Sequence, residues 1–156
     1  MYAALIDEYL TGTDTIRRTV DELTDAELDA HPIDRQWSIR QVICHIADFE
    51  MIYADRMKRV IFEERPALAG GDPGSLAAGL AYGWRTPIDE LQVIVSVRRQ
   101  MAVILRSLPN DAFRRVGVHP RDGSLTLTNL LQRITNHVPH HLRFIEAKRR
   151  ALASIE

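Results

Sequence analysis

Thr126 to Arg150 reads TLTNLLQRITNHVPHHLRFIEAKRR, and the spacing within it decides the fold. Leu127, Leu130, Ile134, His137, His141, Ile145 and Lys148 recur every three or four residues, the signature of one face of a helix. The first of these are apolar, so that face points at a core. Two histidines then stand where the pattern asks for Leu or Ile. An imidazole buried without partners costs roughly 1–3 kcal/mol, so each ring needs something to bind. Two such positions at i and i+4 point to a shared partner. A metal ion is the simplest one, because a histidine pair at this spacing supplies two ligands from one helix. His140 points about 100° away from His141. It lies at i+3 from His137, so His137/His140 is the competing pair; His137/His141 is preferred because both lie on the stripe. Pro139 deletes an N–H and leaves the Thr135 carbonyl without its usual donor, which predicts a kink or bulge.

Working outward, three more long helices appear. Tyr2 to Leu23 carries Leu5, Tyr9, Ile16, Val20 and Leu23 on one stripe, with Gly12 weakening its middle. Thr24 to Glu27 has capping-box form and opens a short turn. Ser38 to Gln41 is a second capping box, preceded by Trp37, which is placed to staple the helix entry. The helix it opens meets no Gly or Pro until Pro66. Its stripe is Val42, Ile46, Phe49, Tyr53, Met57 and Val60, with His45 at the edge. Pro66 to Arg85, rich in glycine, reads as a loop that Trp84 pins down. Thr86-Pro87 starts the next helix, proline being favoured at the first helical position, and Pro109 ends it. Asn110 to Leu125 is a connection with a turn at Arg121-Asp122-Gly123. The last helix spans Leu125 to Ala153. No convincing alternating strand is visible. The expectation is an all-α protein, a four-helix bundle with long connections, forming one domain over residues 1–156.

Composition narrows the function classes. The chain has 156 residues, a net charge of -1 and one cysteine. No basic excess exists to follow a phosphate backbone, so no nucleic-acid partner is expected. A lone Cys44 excludes an internal disulfide and fits a reducing compartment. No apolar run reaches the roughly 20 residues that span a bilayer, so no membrane partner is expected. The N-terminus lacks signal-peptide form, and the reading is cytoplasmic.

In a bundle, metal sites are built from inward-facing side chains of neighbouring helices. His45 lies near the start of the second long helix, His137 and His141 in the middle of the fourth; periodicity does not decide whether they meet. If they do, three imidazoles leave positions open to solvent, the arrangement of catalytic rather than structural zinc. Nickel and iron also accept imidazole nitrogen. The bland alternative is histidines hydrogen-bonded to backbone or carboxylate. Asp48, one turn after His45, is placed to hold an imidazole N–H, to accept a proton near bound water, or to be a solvated surface carboxylate. Cys44 reads as a small buried apolar side chain, His119 as a turn residue and His31 as a surface loop residue.

The segment Trp37-Ser38-Ile39-Arg40-Gln41-Val42-Ile43-Cys44-His45-Ile46-Ala47-Asp48, taken with the later His137-x-x-His140-His141-Leu142, resembles the DinB/YfiT-like family. The resemblance covers nearly the whole chain. It implies a four-helix bundle, often dimeric, that binds a divalent metal, commonly zinc or nickel, through three histidines. By position these are His45, His137 and His141. It implies a metal-dependent hydrolase or a thiol-dependent transferase, acting on a small-molecule substrate or a low-molecular-weight thiol. A non-catalytic, stress-related binding or dimerisation module with a structural or vestigial metal is the alternative. Pro139, inside the histidine run, is where local departure is expected.

Overall fold

The computed structural model describes residues 2–154. Helix α1 (Ala3–Val20) is followed by the short α2 (Asp25–Asp29), then α3 (Ile39–Phe62), α4 (Pro73–Gly79) and α5 (Pro87–Arg106). A 3-10 turn (Asn110–Arg114) leads to strands β1 (Val116–His119) and β2 (Gly123–Thr126), and α6 (Leu127–Ala153) closes the chain. Both expected capping boxes are made and an unforeseen third stands at Thr126, whereas Thr86, at the N-cap of α5, makes no side-chain bond. Thr24, Ser38 and Thr126 each accept a hydrogen bond from the backbone N–H three residues on, and Glu27, Gln41 and Asn129 reach back to the cap N–H. Each box satisfies two N–H groups that a helix start otherwise leaves without partners.

The four long helices form the bundle. α3 packs against α5 and α6, and α1 packs against the same two, so α1 and α3 stand on opposite corners. α3 and α6 are therefore neighbours along much of their length. The interior divides into two apolar clusters. One contains Tyr9, Met57, Met101, Leu130 and Ile134. The other contains Ile16, Ile43, Ile46, Ile94, Val138 and Ile145. Between them lies a polar layer. Arg98 of α5 is 1 % exposed and Glu50 of α3 is 0 % exposed. Arg98 donates to Glu50 Oε1 through Nε at 2.9 Å and again through Nη2, to the Tyr9 carbonyl at 2.6 Å and to the Ile134 carbonyl at 3.3 Å. The Tyr9 hydroxyl donates to Glu50 Oε2 at 3.1 Å. Gly12 makes room for this layer: a Cβ there would stand 2.8 Å from Arg98 Nη1. The glycine that weakens α1 by propensity is the one residue that lets a guanidinium reach its backbone.

Four expectations need correction or completion. The connection before α6 is not irregular: β1 and β2 pair antiparallel, Val116 opposite Thr126 and His119 opposite Gly123, and Gly123 turns with φ 70°. Gly117 lies in this hairpin because a Cβ there would come within 2.8 Å of Leu68 and 2.9 Å of Val60. The glycine-rich segment holds α4, capped by Asp72, which accepts from the Ser75 N–H at 2.8 Å. Trp84 pins nothing; it is 90 % exposed. Finally, α6 continues through Pro139 to Ala153 as one helix. Near the proline its backbone gains an outside donor, the Arg98 guanidinium on the Ile134 carbonyl.

Candidate metal centre

α3 presents His45 and α6 presents His137 and His141 into the same space. The three Nε2 atoms form a nearly equilateral triangle: 3.1 Å from His45 to His137, 3.1 Å from His45 to His141, and 3.0 Å between His137 and His141. Residues 137 and 141 are one turn apart, which sets their rings edge to face at 4.4 Å between centres, and the α3–α6 packing brings the third ring across. His140 is exposed and its Nδ1 faces Arg143 at 3.4 Å, so of the two competing pairs it is His137/His141 that faces His45.

Burial has the same effect on all three rings. It drives the pKa of His45 down to about 4, of His141 to about 3 and of His137 to about 2, with the neighbouring imidazoles adding to the effect on His137 and His141. All three are neutral near pH 7, the state in which imidazole donates a lone pair. Aromatic rings wall the cluster: Phe49 lies 4.5 Å from His45 and 5.3 Å from His137, and Trp37 lies 5.2 Å from His45, ring centre to ring centre.

The donor set fits a cation. Two nitrogens held about 2.0–2.1 Å from one zinc stand about 2.9 Å apart at a right angle and about 3.3 Å apart at a tetrahedral angle. The observed separations lie between these limits. His45 Nδ1 and His137 Nδ1 are buried and have no hydrogen-bond partner. Protons placed on these nitrogens leave the Nε2 lone pairs facing one another, an arrangement that a shared cation relieves. Among the described residues, no carboxylate or thiol joins the three rings as a fourth ligand.

The bond from Asp48 to an imidazole N–H is not made, and Asp48 is not a surface carboxylate either. It is buried and accepts from Arg85 at 2.9 and 3.0 Å. Arg85 also pairs with Glu90. These two carboxylates hold the guanidinium firmly protonated. The buried Tyr82 hydroxyl lies beside Asp48 without a well-formed hydrogen bond, and burial, followed by the nearby Asp48 carboxylate, raises its pKa. Sequence reasoning missed Arg85, Glu90 and Tyr82, since all three sit in or beside the irregular segment where no periodicity marks a face. Cys44 is buried as expected; its thiol faces the Tyr82 carbonyl at 3.6 Å and burial pushes its pKa up to about 11. His119, expected in a turn, is the last residue of β1; its Nδ1 accepts from the Arg121 and Asp122 N–H groups of the turn that follows. His31 stays at the surface, with Nδ1 2.9 Å from the Gln36 carbonyl.

A groove of about 370 Å³ opens beside the histidines. Trp37 and Val42 line one side of it, and His141, Phe144 and Lys148 of α6 the other. Residues 8–145 match the sequence pattern of the DinB superfamily. The chain belongs to the DinB superfamily. Two curated relatives carry, provisionally, the name metal-dependent hydrolase. A protein of Oceanobacillus iheyensis is 30 % identical over 146 residues, covering 90 % of this chain and 84 % of the relative. YfiT of Bacillus subtilis is 30 % identical over 131 residues, covering 83 % and 74 %. The solved structure of YfiT, described as having an unusual four-helix bundle topology, superposes with a TM-score of 0.90 at 26 % identity, over 96 % of this chain and 86 % of that one. A mycothiol-dependent maleylpyruvate isomerase shares the fold at a TM-score of 0.70 and 16 % identity, over 91 % of this chain and 60 % of its own. The four-helix bundle expected from periodicity is thus the fold of this DinB superfamily member.

Proposed function

We propose that His45, His137 and His141 hold one divalent cation, zinc or nickel, and that the protein is a metal-dependent hydrolase of a small molecule. The observation that carries the reading is the triangle of neutral imidazoles with no fourth protein ligand among the described residues. Structural zinc sites are closed by four protein ligands, whereas catalytic ones keep a position for solvent. That difference favours an enzyme over a binding module with a structural metal. When bound, the cation supplies Lewis acidity, which brings the pKa of a coordinated water toward neutrality.

The chain's own residues contribute the rest. Burial keeps the imidazoles unprotonated, so they compete for a cation and not for protons. Phe49 and Trp37 exclude bulk water from one side of the cluster, and the groove along α6 gives a substrate its approach. Asp48 has its carboxylate committed to Arg85, so it acts as a brace for the α4–α5 connection beside the site rather than as a free base. The names of the relatives support water as the nucleophile. A low-molecular-weight thiol in its place gives the transferase reaction.

The test is the metal content of untagged protein beside a His137→Ala/His141→Ala variant, followed by a panel of ester, amide and lactone substrates. The parent should hold about one cation per chain and the variant almost none. Equal metal in both sinks the centre. A metal-loaded parent whose activity on electrophilic substrates requires a thiol replaces hydrolysis with thiol transfer.

A further inference from the structure

Lys148 closes the far end of the groove that begins at His141. It is 2 % exposed. Its Nζ donates to the neutral Gln36 Oε1 at 2.8 Å, and none of the ion pairs among the described residues includes it. An ammonium has three N–H donors, so two remain for another acceptor. Buried charges are ordinarily paired, and this one is not. Of the other deeply buried cations, Arg98 is paired with Glu50 and Arg40 with Asp29, while Arg56, like Lys148, has no carboxylate and donates twice to the Ala69 carbonyl; of these four, only Lys148 lines the groove. Burial without a compensating carboxylate pulls the Lys148 pKa down. At the groove mouth, Arg35 takes a left-handed backbone with φ 57°, which costs a non-glycine residue about 1–2 kcal/mol. Arg65 and Ala81, which do not line the groove, share this conformation, so the strain at Arg35 is no marker of the site.

We propose that Lys148 receives the carboxylate of the substrate. The substrate class is a small monoanion with an apolar body. Its acid end sits on Nζ, its body lies between Trp37 and Phe144, and its reacting group points at the three histidines. His141 and Lys148 are two turns apart on one face of α6, so the two ends are separated by about 10 Å of helix. A single ammonium with two free donors suits a carboxylate, whereas a phosphate usually recruits more positive charge or a planar guanidinium. The assignment rests on the metal-site reading only for the orientation of the ligand; the carboxylate pocket itself does not require the cation.

The molecule supplies its own reporter. There are two tryptophans, and the exposed Trp84 is expendable, so a Trp84→Phe protein leaves Trp37 as the only indole, in the groove wall. Binding of 4-phenylbutyrate and of its neutral amide is followed by Trp37 fluorescence, in the zinc-free and the zinc-loaded protein. The acid should bind about ten-fold more tightly than the amide in both states, as expected for a charged hydrogen bond formed away from bulk water. Lys148→Met should abolish the preference while leaving the amide affinity in place, and Lys148→Arg should retain part of it. Gln36→Glu, which puts a carboxylate on Nζ from within the chain, should also abolish it, and keeps the test alive if the methionine variant folds poorly. Equal affinities for acid and amide in the parent overturn the proposal. So does a preference that survives in Lys148→Met, and if it survives only with zinc present the carboxylate is a metal ligand. Failure of the metal centre alone appears as absent zinc with the zinc-free preference intact.

Discussion

The buried layer of Arg98, Glu50 and Tyr9 offers a quantitative test of how this bundle is held. Replacing Arg98 by Met removes four hydrogen bonds: two to Glu50 and one each to the Tyr9 and Ile134 carbonyls. What remains is a carboxylate with 0 % exposure and one partner, the Tyr9 hydroxyl. Breaking one member of a buried ion pair costs about 3–5 kcal/mol because the survivor keeps its desolvation penalty. At about 2.1 cal/mol/K per residue, 156 residues unfold with an entropy of about 0.33 kcal/mol/K, so Tm should fall by about 9–15 °C. The double variant Arg98→Met/Glu50→Met should recover most of this, since no charge is left to strand. Burial already raises the Glu50 pKa, and losing Arg98 raises it further. A raised carboxyl favours folding below its unfolded value and loses that advantage as pH rises through its folded value. The deficit of the single variant relative to the parent should therefore shrink as pH falls from 7 toward 5. Urea titration of the three proteins at several pH values provides the assay. A loss under about 1 kcal/mol in Arg98→Met, or a double variant no better than the single, refutes the reasoning.

Further outcomes follow from other residues. Gly12→Ala gains helix propensity of about 1 kcal/mol, yet its Cβ meets a guanidinium that the Tyr9 carbonyl holds in place. Net destabilisation by chemical denaturation is expected, and a more stable variant would count against the packing. Zinc affinity should be nearly flat from pH 8 to pH 5.5, because the three imidazoles release no protons there; below about pH 4 protonation competes and affinity falls. A steep decline between pH 7 and pH 6 in a chelator competition would show histidines of ordinary basicity. Asp48→Asn should cost about 1–3 kcal/mol through the weakened Arg85 pair and leave metal content unchanged, since no hydrogen bond links residue 48 to the imidazoles. Gly117→Val should lower stability through collision with Leu68 and Val60, read as a lower Tm.

The parts of the molecule that repeat were legible and the parts that do not were hidden. Stripes on α1, α3, α5 and α6 give the bundle because apolar spacing at a 3.6-residue period leaves few alternatives. The histidines stand out for the same reason: a polar ring on an apolar stripe breaks a pattern. Arg98 and Glu50 break it too, but charged side chains ordinarily mark a solvated face, and nothing local says that two of them will meet across helices. The hairpin escaped because each strand has only four residues, one of them Gly117, too few for alternation to show. Helix α4 escaped because Asp72-Pro73-Gly74 is equally the opening of a turn. Asp48 was misplaced because its partner, Arg85, arrives from a segment without periodicity.

His45 is separated from its two fellow rings by 92 and 96 residues of chain. A zinc finger gathers its ligands within one short segment, so the ion can lead the folding of the segment; here no local fragment carries the set. Helices α3 and α6 have to dock in register before the triangle exists, which makes ion uptake a readout of finished assembly. Once seated, the ion would tie early sequence to late sequence across the α3–α6 seam.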